Sequence, residues 1–274
     1  MVLAFNGKQL DISSPKVMGI LNITPDSFFD PGHYSSIDLQ LRRVEQMLDE
    51  GAEIIDIGAV STRPGAEKIP ASEEVARLIP SLIAVRQKFP ECFLSVDTFQ
   101  PVVVREAVAH GADMINDIFG GRFAGDMMET IAGLNVPYIL MHMKGVPGTM
   151  QVDPQYQDVV AEVAYFFHQQ TEKLRALGAS QTMIDPGFGF GKTAAHNFEL
   201  LDRLQEFKNL GFPIVVGFSR KSMIQKTLGV PVDDALNGTT VLNTIALQKG
   251  ASILRVHDVK EAVEAVKLVA AVGG

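Results

Sequence analysis

The sequence predicts an α/β fold: a (β/α)8 or TIM barrel preceded by an N-terminal β-hairpin, with residues 1–274 forming one domain. Short apolar runs alternate with helical patterns through the chain, which implies parallel pairing. There are eight such units of about 30 residues, enough for a sheet to close on itself. Each run also ends in a polar residue, the mark of a barrel whose chemistry sits at the carboxyl ends of its strands.

The hairpin is read from Leu3 to Leu10, where Asn6-Gly7 separates two short arms, and it is expected to cover the bottom of the barrel. The strands then follow as Val17–Leu21, Glu53–Ile57, Cys92–Val96, Asp113–Ile115, Tyr138–Met141, Thr182–Asp185, Pro213–Val216 and Ser252–Leu254. Helical spacing of apolar residues links them over Asp38–Glu50, from Ser72 to about Phe89, through Val104 and His110, from about Gln155 to Leu177, over Ala195–Leu210, over Val241–Leu247 and from Val259 onward. Two loops stand out. The one after Asn22 carries Phe28 and Phe29 between prolines and suits a lid, and the one after Gly58 holds the run Ser61-Thr62-Arg63.

Composition narrows the function. A net charge of −8 argues against nucleic acid or an anionic membrane as the main partner. The single cysteine, Cys92, leaves no internal disulfide framework and fits a reducing compartment. No basic leader precedes the first strand, and no apolar run approaches the roughly 18 residues of a membrane span. A soluble cytoplasmic protein is expected.

The stretch Asp185-Pro-Gly-Phe-Gly-Phe-Gly-Lys192-Thr193 looks like a phosphate loop, but its spacing differs. Pro186 stands where a Walker A motif needs its first glycine, and the glycines at 187, 189 and 191 do not give the dinucleotide fingerprint. It reads instead as a strand ending in a carboxylate that faces a loop. The full set of strand-end groups is Asn22, Asp56, Asp97, Asn116, His142, Asp185, Ser219 with Lys221, and Arg255 with His257. Asp56, followed closely by Gly58, is read as a loop cap. Arg220, Lys221 and Arg255, with His257, fall after strands seven and eight, where barrels commonly hold phosphate. Asp97, Asn116 and Asp185 combine two acceptors with an amide, a trio that could bind a metal or clamp a planar heterocycle with several N–H donors. Nucleophile motifs are absent, so chemistry here would run on electrostatics and positioning.

The runs Asn22-Ile-Thr-Pro-Asp-Ser-Phe28, Ser61-Thr-Arg-Pro-Gly-Ala66, Val96-Asp-Thr98, Ile115-Asn-Asp117, Met141-His-Met143 with Thr149-Met-Gln151, Asp185 to Lys192, Gly217-Phe-Ser-Arg-Lys-Ser222 and Arg255-Val-His257 occur in order. On these residues the chain resembles the dihydropteroate synthase family over essentially its whole length. The resemblance implies a homodimeric barrel that joins 4-aminobenzoate to 6-hydroxymethyl-7,8-dihydropterin diphosphate and releases diphosphate with Mg2+ present, the folate step that sulfonamides inhibit.

Carried over by position, the pterin pocket falls on Asp97, Asn116, Asp185 and Lys221, with Met141, Phe190 and Gly217 around the ring. The diphosphate site falls on Asn22, Thr62, Arg255 and His257, with Asn22 also serving magnesium. The aminobenzoate site falls on Phe28, Arg63, Pro64, Phe190, Lys221 and Ser222. Asp97, Asp185, Lys221, Arg255 and His257 would carry the catalysis. Two departures are visible: Phe28-Phe-Asp-Pro-Gly32 replaces the usual Phe-Ser-Asp-Gly-Gly, and Ala59-Val60 replaces Gly-Glu. A pterin-binding methyltransferase barrel of the methyltetrahydrofolate type is the alternative enzyme, but it has no use for the cations at Arg255 and His257. A silent pterin-binding barrel that stabilises a partner is a third reading.

Overall fold

The computed structural model describes residues 1–23, 36–60 and 69–273. Expectations for Phe28, Thr62, Arg63 and Pro64 lie outside the described residues.

The hairpin is present as β1 (Val2–Phe5) and β2 (Lys8–Asp11), paired antiparallel. Asn6 and Gly7 join them with φ of 49° and 78°, the two left-handed residues that a tight hairpin turn requires. Eight parallel strands follow: β3 (Lys16–Asn22), β4 (Ile54–Gly58), β5 (Phe93–Asp97), β6 (Met114–Asp117), β7 (Tyr138–Met141), β8 (Thr182–Asp185), β9 (Val215–Val216) and β10 (Ile253–Val256). Their order in the sheet is β8-β7-β6-β5-β4-β3-β10-β9. A parallel bridge between Ile184 and Ile214 links β8 to the start of β9 and brings the two ends of the sheet together.

The surrounding helices are α1 (Ser36–Asp49), α2 (Ala71–Lys88), α3 (Pro101–Ala109), α4 (Met127–Leu134), α5 (Val159–Ala176), α6 (Ala194–Asp202), α7 (Ser222–Leu228), α8 (Leu236–Gln248) and α9 (Val259–Gly273). Three of these depart from the sequence reading, which places no helix at α4. The helix expected over 195–210 is α6 followed by a tighter 3-10 segment, Leu204–Leu210, that ends at the left-handed Gly211. α7 is an extra short helix, closed by the left-handed Gly229, between β9 and α8.

The register sorts the strand residues into two sets because alternate side chains face opposite ways. One set forms the main core between strands and helices. The other faces the barrel axis, where Met18, Ile54, Phe93, Met114, Ile139, Met183, Val215 and Ile253, one from each strand, pack into a single cluster. Leu3 and Ile12 complete that cluster, so the hairpin plugs the barrel as expected. It is fastened at its edge as well. The Gln181 amide brackets Ala4, accepting from its N–H at 2.7 Å and donating to its carbonyl at 3.0 Å, and Lys8 pairs with the buried Asp113 at 3.3 Å.

With its bottom filled by apolar side chains, the barrel has room for polar groups only toward the other end. Leu3 is fully buried in the plug, so Leu3→Ala is expected to lower stability by about 2–4 kcal/mol, the cost of a core methylene cavity. Urea unfolding would measure it, and a loss below about 1 kcal/mol would mean that the hairpin only rests on the barrel.

Candidate active site

Continuing each inward row toward the carboxyl ends replaces apolar residues with polar ones: Ile54 gives way to Asp56, Phe93 to Ser95 and Asp97, Met114 to Asn116, Met183 to Asp185, and Ile253 to Arg255. The register places Asn22, Gly58, Asp97 and Asn116 side by side on neighbouring strands. These ends line a pocket formed by Ile20, Asp97, Asn116, Ile118, Met141, Asp185, Phe190, Gly217, Ser219, Lys221, Arg255 and His257. Nine of the residues expected in a ligand site therefore meet in one place.

At its centre, the Arg255 guanidinium bridges two carboxylates, donating from Nε to Asp56 at 2.6 Å and from Nη2 to Asp97 at 2.8 Å. Asn116 donates its amide to the same Asp56 oxygen at 3.1 Å. Asp56 is thus no loop cap. It is completely buried and anchors Arg255 and Asn116 at once. Its signal in the sequence was parity: Ile54, Asp56 and Gly58 alternate inward while Ile55 and Ile57 face the helices.

Among the described residues, Oδ1 of Asp56 and Oδ1 of Asn116 are buried with no hydrogen-bond partner. Asp185 accepts the Gly187 N–H at 2.7 Å, which fixes its carboxylate at the lip of β8. Lys221 lies with its ammonium 4.6 Å from the centre of the Phe190 ring and donates to the Phe188 carbonyl. His257 is set by Ser219, whose hydroxyl lies 3.1 Å from both its backbone nitrogen and its Nδ1.

Other expected residues are placed differently. Arg220 turns away from the pocket, pairing with Asp258 at 2.9 Å and with the carbonyls of Val232 and Asp233, so it is a structural clamp and not part of an anion cluster. Ser222 is exposed at the start of α7 and does not line the pocket. Asn22 is half-buried at the end of β3. His142 is buried behind the β8 loop, next to Lys192.

Burial dominates the electrostatics. It pushes the Asp97 carboxyl up to about 7, against the pull of Arg255 and with the push of Asp56. It raises Asp185 as well, held back by Lys221 and the Gly187 N–H. Lys221 is pressed down to about 8 by the same desolvation, with Asp185 opposing. For Arg255, burial would lower the value, but Asp56 and Asp97 outweigh it. The result is a donor-seeking floor of carboxylate and amide oxygens beside two cations.

Polar groups gathered at the mouth of a plugged barrel define a small-molecule enzyme of the TIM-barrel class. The family model described as Pterin binding enzyme matches residues 18–257. A dihydropteroate synthase of Haemophilus influenzae is 48% identical over 261 residues, covering 94% of each chain. Among solved structures, a Yersinia pestis dihydropteroate synthase with a sulfonamide drug complex superposes with a TM-score of 0.93 at 44% identity, covering 100% of this chain and 99% of that one. The Xanthomonas albilineans dihydropteroate synthase in complex with 7,8-dihydropteroate gives 0.90 at 38% identity, covering 100% and 99%. The chain belongs to the dihydropteroate synthase family of pterin-binding enzymes.

Asp56→Ala is expected to cost about 3 kcal/mol in urea unfolding, the low end for breaking a buried pair, because Arg255 keeps Asp97 as its second partner. A neutral result would show that Asp97 alone compensates the guanidinium.

Proposed function

We propose that the chain condenses 6-hydroxymethyl-7,8-dihydropterin diphosphate with 4-aminobenzoate to give 7,8-dihydropteroate and diphosphate. The observation that carries this reading is the pairing of an acceptor-rich floor with a cationic wall. Asp97, Asn116 and Asp185 offer oxygens to the N–H edge of a pterin, and the Oδ1 of Asn116, without a partner among the described residues, is buried where such a donor would complete it. Lys221 is assigned to the ring carbonyl, with Met141, Phe190 and Gly217 against the ring faces.

Arg255 and His257 are assigned to the diphosphate. The Arg255 Nε and Nη2 face the carboxylates, and the remaining Nη is the donor given to the leaving group. A methyltransferase would have no use for an anion site at Arg255 and His257, which favours the synthase. Phe28, Arg63, Pro64 and Ser222, with Phe190 and Lys221, remain our assignment for the aminobenzoate, and Thr62 for the diphosphate.

The chemistry needs no protein nucleophile. The bond from the pterin methylene carbon to the diphosphate oxygen breaks, and its electron pair leaves with the diphosphate, whose charge Arg255 and His257 offset. The electron-rich dihydropterin delocalises the positive charge, which Asp97 and Asp185 favour. The arylamine nitrogen then bonds to the methylene carbon, and its proton, acidic after attack, passes to solvent or diphosphate.

Mg2+ is assigned with the diphosphate, since this ion usually binds through substrate phosphates and few protein oxygens. Asn22 fits as one such oxygen. Gly58 keeps the space beside it open, because a Cβ there would lie 3.9 Å from Asn22 Oδ1 and 3.8 Å from Asp97 Oδ2. The ion would supply charge neutralisation of the leaving group.

A homodimer is also proposed, on the exposed Leu228, Val232 and Val241 along α7, the turn after it and α8. Among the described residues no helix is long and apolar enough to cross a membrane. We read it as a single-domain enzyme of the cytoplasm.

Turnover of the two substrates with release of diphosphate tests the function directly. Asp185→Asn is expected to weaken binding of 6-hydroxymethylpterin tenfold to a hundredfold by calorimetry, because a charge-assisted hydrogen bond contributes about 1.5–3 kcal/mol. Pterin affinity is also expected to fall as pH rises through about 8, where Lys221 loses its proton. Lys221→Met should abolish that alkaline limb, and a limb that survives would take Lys221 off the ring carbonyl.

A further inference from the structure

The β8 loop contains a lysine that the reaction does not use. Lys192 is only 2% exposed, although it follows a run of glycines at the mouth of the barrel. Its Nζ lies 2.9 Å from the Gly187 carbonyl, 3.0 Å from the Phe190 carbonyl, 3.3 Å from the His142 carbonyl and 3.0 Å from His142 Nδ1. Carbonyls can only accept. An uncharged amine has two N–H groups and would turn its lone pair toward the third carbonyl, whereas an ammonium has a donor for each. His142 Nδ1 then shares one of these protons as an acceptor.

The connections run straight to the site. His142 anchors the lysine to the end of β7, and the lysine holds the carbonyl of Gly187. The N–H of Gly187 in turn fixes the Asp185 carboxylate at 2.7 Å. Only glycine fits at position 187. Its φ is +69°, and a Cβ on it would lie 1.9 Å from the His142 carbonyl oxygen. The other loop carbonyls are also engaged, Phe188 by Lys221, Gly189 by Gln151, and Gly191 by Tyr156 at 2.9 Å. Of these donors, Lys192 alone brings a positive charge to the back of Asp185, while Lys221 faces it from the pocket.

We propose that Lys192 is a positioning residue for the condensation: a buried ammonium, seated on His142, that aims the Asp185 carboxylate and keeps it ionised for the ring N–H donors. This rests on the reading that Asp185 binds the pterin. The charges around the pair come from several elements. Lys221, Arg255 and Lys192 act on Asp185, and Asp185, Lys221, Arg122 and Lys144 act on Lys192. Burial pulls the Lys192 ammonium well below the usual lysine range, with Asp185 pulling the other way; it is the three carbonyls and the His142 ring nitrogen around Nζ that favour the charged form.

The consequence is a pH signature. A carboxylate must be ionised to accept the ring donors, so pterin affinity falls as pH drops through the Asp185 pKa. Removing a nearby positive charge raises that pKa and moves the acid limb upward.

The test measures 6-hydroxymethylpterin binding by calorimetry between pH 5 and 9 for wild type, Lys192→Met, Asp185→Asn, the double variant and Tyr156→Phe. Lys192→Met is expected to shift the acid limb up, as loss of an opposite charge does. Tyr156→Phe removes a hydrogen bond from the same loop without changing charge and should leave the limb in place. In the Asp185→Asn background the lysine substitution should no longer shift it. An unmoved limb in Lys192→Met, or an equal shift in both backgrounds, overturns the proposal.

Should Lys192→Met fail to fold, the 15N shift of Lys192 Nζ in the wild-type protein decides: an amine signal at neutral pH overturns the ammonium assignment, and an ammonium signal supports it. Wild-type protein that binds no pterin would instead sink the functional reading, a result separate from any of these.

Discussion

Everything at the mouth of this barrel depends on the Arg255 guanidinium lying between Asp56 and Asp97. A barrel interior is a poor place for charge, and one isolated ion there would cost several kcal/mol. The fork geometry of arginine lets one cation meet two carboxylates on two other strands, at 2.6 and 2.8 Å. Asn116 joins through Asp56, so strands β4, β5, β6 and β10 are locked in a single polar layer. The pocket is the unfilled part of that layer, lined by the buried Asn116, whose Oδ1 has no partner among the described residues.

The β8 loop meets the same demand by other means. Its glycines turn the backbone back on itself, which leaves five successive carbonyls needing donors away from any ladder. Lys192 of the loop itself, Lys221 before α7, and Gln151 and Tyr156 between β7 and α5 supply them. A loop whose every carbonyl is engaged is held as firmly as a strand, so it can present Asp185 and Phe190 at fixed positions without regular structure.

Most of the strands could be read from the sequence within one or two residues, because each is a short apolar run closed by a polar residue. The hairpin was legible for its Asn6-Gly7 turn, and the pocket for the coincidence of strand ends. Asp56 was misread because its neighbours Ile55, Ile57 and Gly58 suggested a strand terminus, and only the inward parity of the row distinguishes a buried anchor from a cap. Arg220 looked like one of three clustered cations, but its partner Asp258 is 38 residues away in sequence and invisible to local pattern. The extra helix α7 was hidden because seven residues give too few apolar repeats to show a period. Lys192 stands in a near miss to a phosphate motif, and its burial comes only from the folded loop.

The plug at the base has a use beyond holding the barrel shut. It places Met1 at the opposite pole from the pocket, with the packed layer of Leu3, Ile12 and eight strand residues between them. A surface tether or a reporter joined through Met1 would therefore leave the mouth open to solution, so immobilised protein should present oriented and unobstructed sites to small-molecule screening.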